Sequence, residues 1–159
     1  MGKVFDQLEP KLVEWIERQR LFFVGTAPLG AHGHVNISPK GPIDTLLVLD
    51  GCRIAYLDYA GSGAETIAHL NENGRVVVML CAFEGPPRIV RLHGRGTVHQ
   101  LGTPEFDELY EGERPQQLDW IDRKLRTGPD AILDYIAGKN ASSIDGLPAL
   151  DLAETTDRP

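Results

Sequence analysis

Two short motifs combine residue types that could bind a phosphate. In the first, Gly61-Ser62-Gly63 stands at the start of a predicted helix, directly after a predicted strand. The free amides and the positive dipole end of a helix start attract anions, and glycines let a phosphate approach closely. In the second, residues 36–41 (NISPKG), Lys40 follows a proline and could offer its ammonium to a phosphate or an electron-rich ring. An ordinary helix cap and a solvated loop lysine are the alternatives for these two motifs.

One predicted strand also carries a basic face. Arg91, His93 and Arg95 alternate along it, so they either bind an anion or form the solvent side of a sheet. The histidines show no HExxH or paired spacing, so no metal site is predicted. Ser62 and Ser143 lie in neither a GxSxG nor an SxxK motif, so the sequence identifies no nucleophile and the catalytic residues are unknown.

Length and charge predict one acidic domain. The chain has 159 residues, within the roughly 250 that a single hydrophobic core serves, and 16 Lys and Arg against 23 Asp and Glu give a net charge of −7. This balance argues against a nucleic-acid or anionic-membrane partner, so a phosphate ligand needs a local site. We expect residues 1–150 to form one domain and residues 151–159 a flexible acidic tail.

The cysteines and the apolar segments predict a cytoplasmic location. Cys52 and Cys81 are too few for a disulfide framework and lack a CxxC spacing, so we expect both to be reduced within the sheet. The N-terminus shows no basic region followed by an apolar one, and the longest apolar run, Val76–Phe83, is too short to span a bilayer.

Hydrophobic periodicity predicts an amphipathic first helix, strands in antiparallel pairs, and further helices. The clearest hairpin signal is Asp50-Gly51, because this pair suits the positive φ angles of a type I′ turn. Ser62 and Glu65 predict a capping box at the second helix, which Asn73-Gly74 ends. The predicted helices cover residues 4–19, 61–73, 103–108, 116–126 and 128–136, and the predicted strands cover residues 21–26, 35–38, 46–49, 52–56, 75–83 and 88–99.

This order of elements predicts an α+β fold with a mainly antiparallel sheet of about six strands. A sheet of that size must close or be covered, since open edges invite association, so a small β-barrel fits the pattern. Gly94 and Gly96 in the last long strand predict a close backbone approach or a bulge, as at a barrel corner.

A string of motifs resembles one known family. It covers residues 5 to 100 with few gaps, and it is more specific than any single motif in it. The chain resembles the pyridoxamine 5′-phosphate oxidase-like, FMN-binding split-barrel family, and within it the bacterial branch that carries an SPKG motif. The matching segments are residues 22–28 (FFVGTAP), 34–41 (HVNISPKG), 55–58 (AYLD), 61–66 (GSGAET), 69–70 (HL), 73–75 (NGR) and 81–96 (CAFEGPPRIVRLHGRG).

The resemblance implies a split antiparallel β-barrel, a homodimer, and two FMN molecules in the grooves between the subunits. It implies an oxidoreductase that passes a hydride or electrons between FMN and a small organic substrate. Lys40 and the amides of Gly61-Ser62-Gly63 would hold the flavin phosphate. The other residues implied at the cofactor are Asn36, Ser38, Leu57, Asp58, Asn140 and Ser143, with Leu57 and Asp58 acting chiefly through their backbone.

The sequence departs from the oxidase proper in two places. Gly63 and Ala64 stand where that enzyme has an arginine and a lysine, so charge is lost and backbone amides must hold more of the phosphate. The C-terminal Trp and Arg pattern for pyridoxal phosphate is also absent from the sequence, so we do not expect oxidation of pyridoxamine phosphate. The loop at residues 139–148 resembles a tail of the same branch that would lie against the partner subunit.

Three other functions fit the same fold. A reductase of this barrel could use the deazaflavin F420, although this would need more basic residues for its anionic tail. A carrier or sensor could bind flavin or haem without turnover. A barrel that has lost its ligand could serve as a dimeric interaction protein.

Overall fold

The computed structural model describes residues 2–58, 63–109 and 141–149. Within these residues, six strands form a four-stranded sheet in the order β2-β1-β5-β6 and a two-stranded sheet of β3 and β4. The strands are β1 Phe22–Thr26, β2 Asn36–Lys40, β3 Leu46–Val48, β4 Ile54–Tyr56, β5 Arg75–Cys81 and β6 Ile89–Arg95, and the helices are α1 Pro10–Glu17, α2 Ala64–Asn73 and α3 Pro104–Leu109.

The α+β class with mainly antiparallel sheet is confirmed. The strand pairs β1–β2, β1–β5, β3–β4 and β5–β6 are all antiparallel. The strands divide into sheets of four and two instead of one sheet of about six, which is consistent with a split barrel.

The hairpin of β3 and β4 is confirmed, but its turn is not of type I′. Gly51 is absent from the glycines with positive φ, and no described residue other than glycine has one. The Asp50 side chain instead accepts hydrogen bonds from the backbone N–H groups of Cys52 and Arg53, both at 2.8 Å. Residues 49–53 lie between the two strands, so Cys52 is exposed in the turn and outside the sheet.

The apolar core lies between α1, β1 and β5. Pro10 opens α1, since a proline has no N–H to lose at the first helical position, and the helix is therefore shorter than predicted. Phe22 meets Tyr56 of β4 edge to face, with 5.4 Å between ring centroids. The buried members of this core are Leu12, Ile16, Phe22, Val24, Leu46, Val78 and Leu80.

Helix α2 ends as predicted and begins later than predicted. Gly74 follows it with φ of 69°, the left-handed conformation that glycine adopts without strain. Gly63 is the N-cap residue, so the helix starts after the glycine-serine turn. Its buried residues are Ala64, Thr66, Ala68 and His69, so the helix buries polar side chains together with apolar ones.

Strand β6 shows the predicted two faces over a shorter length. Val90 and Leu92 are half-buried, whereas Arg91, His93 and Arg95 are exposed. The close approach predicted for this segment occurs at Gly96, where a Cβ would lie 3.2 Å from a methyl of Leu70.

Several predictions lie outside the described residues. These are the helices at residues 116–126 and 128–136 and the acidic tail at residues 151–159. In the part of the chain that the structure describes, no helix is long and apolar enough to cross a membrane.

Candidate functional site

Lys40, Asp58 and Gly63 come together from three separate elements. Lys40 is the last residue of β2, Asp58 lies two residues beyond β4, and Gly63 is the N-cap residue of α2. The Lys40 Nζ contacts Asp58 Oδ1 at 2.8 Å and Oδ2 at 2.7 Å. A Cβ on Gly63 would lie 3.1 Å from Asp58 Oδ2, so the carboxylate stands at the start of the helix. Lys40 and Gly63, which come from the two predicted phosphate motifs, therefore border the same carboxylate.

The Asp58 side chain is the part of this site that sequence reasoning missed. Asp58 was predicted to act through its backbone, yet its carboxylate is the partner of the lysine. Both side chains are largely enclosed, with 13% of Lys40 and 25% of Asp58 exposed. Burial, and then the charge of Asp58, raise the pKa of Tyr56 well above its usual range, so this phenol is neutral beside the pair.

A shallow depression of about 270 Å³ adjoins Lys40. It is lined by Arg20, Leu21 and residues 39–42. Arg20 forms an ion pair with Glu84 across this edge of the sheet, and both side chains are largely exposed. The depression thus offers room beside Lys40. The second positive charge at its edge, Arg20, is already neutralised by Glu84.

Asn36 and Ser38, both predicted site residues, belong to a polar network beneath α2. The Ser38 hydroxyl donates to Asn36 Oδ1 at 3.2 Å. The Asn36 amide donates to Thr66 Oγ1 at 3.0 Å and, more weakly, to Thr26 Oγ1 at 3.4 Å. Thr26 Oγ1 also shares a hydrogen bond of 3.0 Å with His69 Nδ1. The network thus connects the site strand β2 with α2 through the end of β1.

Thr26, Thr66 and His69 were not predicted as members of any site. Thr26 lies on the same face of β1 as Phe22 and Val24, because alternate residues of a strand share a face. The strand pattern therefore does predict that Thr26 is buried. Each of the three residues is buried, and His69 is fully enclosed. Buried polar groups are almost always hydrogen-bonded, but the burial of His69 and Thr66 shows only in the folded structure, so beyond the parity of Thr26 no sequence signal groups the three residues.

Two buried polar atoms near this network have no hydrogen-bond partner among the described residues. They are His69 Nε2 and Glu65 Oε2. The other Glu65 oxygen accepts a hydrogen bond of 2.6 Å from the Ile144 N–H. Glu65 therefore binds the segment at residues 141–149, whereas the predicted capping box would have turned it towards Ser62.

Residues 141–149 pack on α2 of the same chain, and the contact with a partner subunit stays a prediction. Leu147 and Ala149 meet Ala64 and Ala68 of the helix. Ser143, a predicted cofactor residue, is buried and stabilises the segment itself: its N–H donates to the Leu147 carbonyl at 2.9 Å and its hydroxyl accepts from the Leu147 N–H at 3.1 Å.

A two-point clasp closes the same segment onto the loop before β2. His34 donates its backbone N–H to Asp145 Oδ2 at 2.7 Å, and its Nδ1 lies 2.6 Å from Asp145 Oδ1. The hydrogen bond and the charge of Asp145 raise the pKa of His34, and Glu65 adds to this. The backbone and side-chain hydrogen bonds from His34 lower the pKa of Asp145. The charge of the His34 ring and that of the His69 ring lower it further.

The remaining predicted residues divide into two groups. Leu57 is half-buried and its N–H donates to the Thr45 carbonyl at 3.0 Å, so its backbone is already engaged. Gly61, Ser62 and Asn140 lie outside the described residues. Among the described residues, no group of three or more His, Cys, Asp or Glu side chains is placed to hold a metal ion.

Comparison with known proteins gives two matches. The family described as pyridoxamine 5′-phosphate oxidase matches residues 8–131. A pyridoxamine 5′-phosphate oxidase family protein, ustO of Aspergillus flavus, is 46% identical over 103 residues, which cover 64% of this chain and 41% of the relative. The chain thus spans about two fifths of the length of this curated relative. No solved structure matches the chain significantly.

Proposed function

Because the chain belongs to the pyridoxamine 5′-phosphate oxidase family, whose fold is of a flavin-binding oxidoreductase type, we propose that it binds FMN and transfers a hydride or electrons between FMN and a small organic substrate. One observation carries the proposal: Lys40 and the start of α2 converge on a single anion, here the Asp58 carboxylate. A lysine ammonium beside a helix start is a suitable environment for a phosphate monoester.

The residues present fit the phosphate end of FMN. Lys40 would bind the phosphate together with backbone amides of Gly61, Ser62 and Gly63. The flavin supplies the hydride or electron transfer, and the chain holds it and excludes water from one face. Asn36 and Ser38 would line the ring or the ribityl chain at the end of the polar network, and Leu57 and Asn140 complete the proposed contacts. No side chain is assigned as acid or base, and water would supply the substrate proton.

A second copy of the chain would complete the site. Cross-strand partners in the four-stranded sheet share a face, and one row of that face joins Ile37, Gly25, Val77 and His93. Ile37 is 70% exposed and Ile89, on the same face of β6, is 58% exposed. The family resemblance implies a homodimer, and we propose that the partner subunit covers these two exposed apolar side chains. Light scattering on the purified protein is expected to report two copies, and a monomer at micromolar concentration would contradict this part.

The first experiment identifies the cofactor. The purified protein is expected to show the visible spectrum of an oxidised flavin and to release FMN on denaturation. Release of F420 or haem instead of FMN would show that the protein uses one of the other cofactors considered for this fold. A colourless protein that takes up no added FMN would contradict the proposal. Anaerobic NADH or NADPH then separates a reductase, which bleaches, from a carrier, which stays yellow.

The second experiment tests the phosphate site. Lys40→Ala should weaken FMN binding at least tenfold and leave riboflavin binding unchanged, because riboflavin lacks the phosphate. Lys11→Ala, which removes the same charge from an exposed lysine of α1, is the matched control. Equal FMN affinity in Lys40→Ala and the wild type would show that the phosphate binds elsewhere.

A further inference from the structure

Asp58 already forms an ion pair with Lys40, the lysine that would bind the flavin phosphate. Its two carboxylate oxygens both lie within 2.8 Å of Lys40 Nζ. The pair is shielded from solvent, with 13% of the lysine side chain and 25% of the aspartate side chain exposed. Shielding strengthens the attraction between the charges, so the aspartate is not a weakly held surface partner.

The charges at this position do not suffice for both anions. Lys40 contributes a full positive charge and a helix start about half of one, whereas Asp58 removes a full charge, which leaves about +0.5. A phosphate monoester carries about −1.5 to −2 at neutral pH. With Asp58 in place, the phosphate meets a site that is nearly neutral and a carboxylate that repels it.

The position of Asp58 in the fold allows it to leave. It lies two residues beyond the last residue of β4, so its side chain can turn without breaking a pair of the β3–β4 ladder. Gly63 contributes no side chain on the facing side, and this leaves the carboxylate next to the backbone of the helix start. The same lack of a side chain would admit a phosphate there.

We propose that Asp58 occupies the place of the flavin phosphate in the ligand-free chain, and that it determines how strongly the site discriminates FMN from riboflavin. The inference rests on the proposed function, since it concerns the cofactor proposed above. A phosphate must displace the carboxylate from Lys40, so part of its binding energy is lost in that exchange. Asp58 is therefore a specificity-determining residue that weakens FMN retention.

The test compares FMN and riboflavin affinities in three proteins: the wild type, Asp58→Asn and Asp6→Asn. Flavin fluorescence quenching measures both ligands in the apoprotein. Asp58→Asn keeps an oxygen acceptor for Lys40 and removes the competing charge. Asp6→Asn removes the same charge from an exposed side chain before α1. Should Asp58→Asn unfold, Asp58→Ser, which also keeps an oxygen, takes its place.

We expect Asp58→Asn to raise FMN affinity at least tenfold, with riboflavin affinity within twofold of the wild type and Asp6→Asn unchanged for both ligands. An unchanged or lower FMN affinity, or an equal change for the two flavins, would overturn the role of Asp58 and leave the proposed function intact. If the wild type and Asp58→Asn bind neither flavin, the proposed function and this inference fail together.

Discussion

The two ends of one strand, β1, face different kinds of interior. At its start, Phe22 and Val24 are fully buried in the apolar core beneath α1. At its end, Thr26 has the same inward parity but meets His69 of α2 through a hydrogen bond of 3.0 Å. One sheet therefore has an apolar half, where the buried side chains contribute through packing, and a polar half, where the buried side chains also depend on hydrogen-bond partners.

This difference predicts how each half tolerates change. An apolar core accepts substitutions of similar volume, because dispersion and burial are not directional. A buried polar network fails when one member is lost, because the remaining partner keeps its desolvation cost without its hydrogen bond. Asn36 pairs with Thr26 in the polar half, whereas Lys40 pairs with Phe22 at the apolar end of β1. The proposed cofactor site therefore spans both halves, and Asn36 and Ser38 are its part in the half that tolerates less.

The largest expected effect is in the apolar half. Phe22→Ala removes a fully enclosed ring and the contact with Tyr56, so it should lower the free energy of unfolding by about 3–5 kcal/mol. Urea unfolding measures the change. Phe5→Ala, at a ring that is 38% exposed, is the control and should cost much less. Equal losses in the two variants would contradict the core assignment.

An intermediate effect is expected in the polar half. Thr26→Val keeps the shape of the side chain but leaves His69 Nδ1 without its hydroxyl partner, so the free energy of unfolding should fall by about 1–3 kcal/mol. Thr26→Ser keeps the hydroxyl and serves as the matched control. If Thr26→Val were as stable as the wild type, the polar half would not depend on this hydrogen bond, and the contrast between the two halves would be wrong.

The smallest effect concerns the clasp between His34 and Asp145, which closes over the polar half. Because its pKa is raised, His34 contributes fully to the stability of the clasp below pH 6.5, its ordinary pKa. This contribution is lost as the pH rises through the raised pKa. Because its pKa is lowered, Asp145 contributes fully to the stability of the clasp above pH 3.8, its ordinary pKa. This contribution is lost as the pH falls through the lowered pKa. The clasp is therefore strongest between these two limits.

Amide hydrogen exchange of Ile144 at pH 5.5 and pH 8 measures the clasp. After correction for intrinsic exchange rates, protection should be higher at pH 5.5. His34→Gln keeps a side-chain donor without the titration, so its protection should not depend on pH over this range. Wild-type protection that is equal at the two pH values would show that the clasp does not depend on the imidazole charge.

Much of the fold could be predicted because its signals are local. Asp50-Gly51 marks the β3–β4 hairpin, Asn73-Gly74 marks the end of α2, and alternation shows the two faces of β6. The errors are local too: a side-chain acceptor at Asp50 replaced the type I′ turn, and Pro10 delayed the start of α1.

The site could be predicted only in part because its contacts join distant positions. Lys40 and the start of α2 were recognised as separate motifs, but nothing along the chain indicates that Asp58 would pair with Lys40. The clasp joins residues 34 and 145, which are 111 positions apart. His69 was passed over because a histidine without a metal-ligand spacing resembles any surface residue, and only the packed helix shows it buried.

The hydrogen-bonding capacity of Asn36 restricts what any ligand can present to it. Its amide nitrogen has two protons, and these are directed to Thr66 and Thr26. Its oxygen accepts one bond from Ser38 and keeps a second lone pair. A ligand that reaches Asn36 must therefore bring its own proton, such as an imide N–H or a hydroxyl. A carbonyl or an unprotonated ring nitrogen placed there would find only another acceptor.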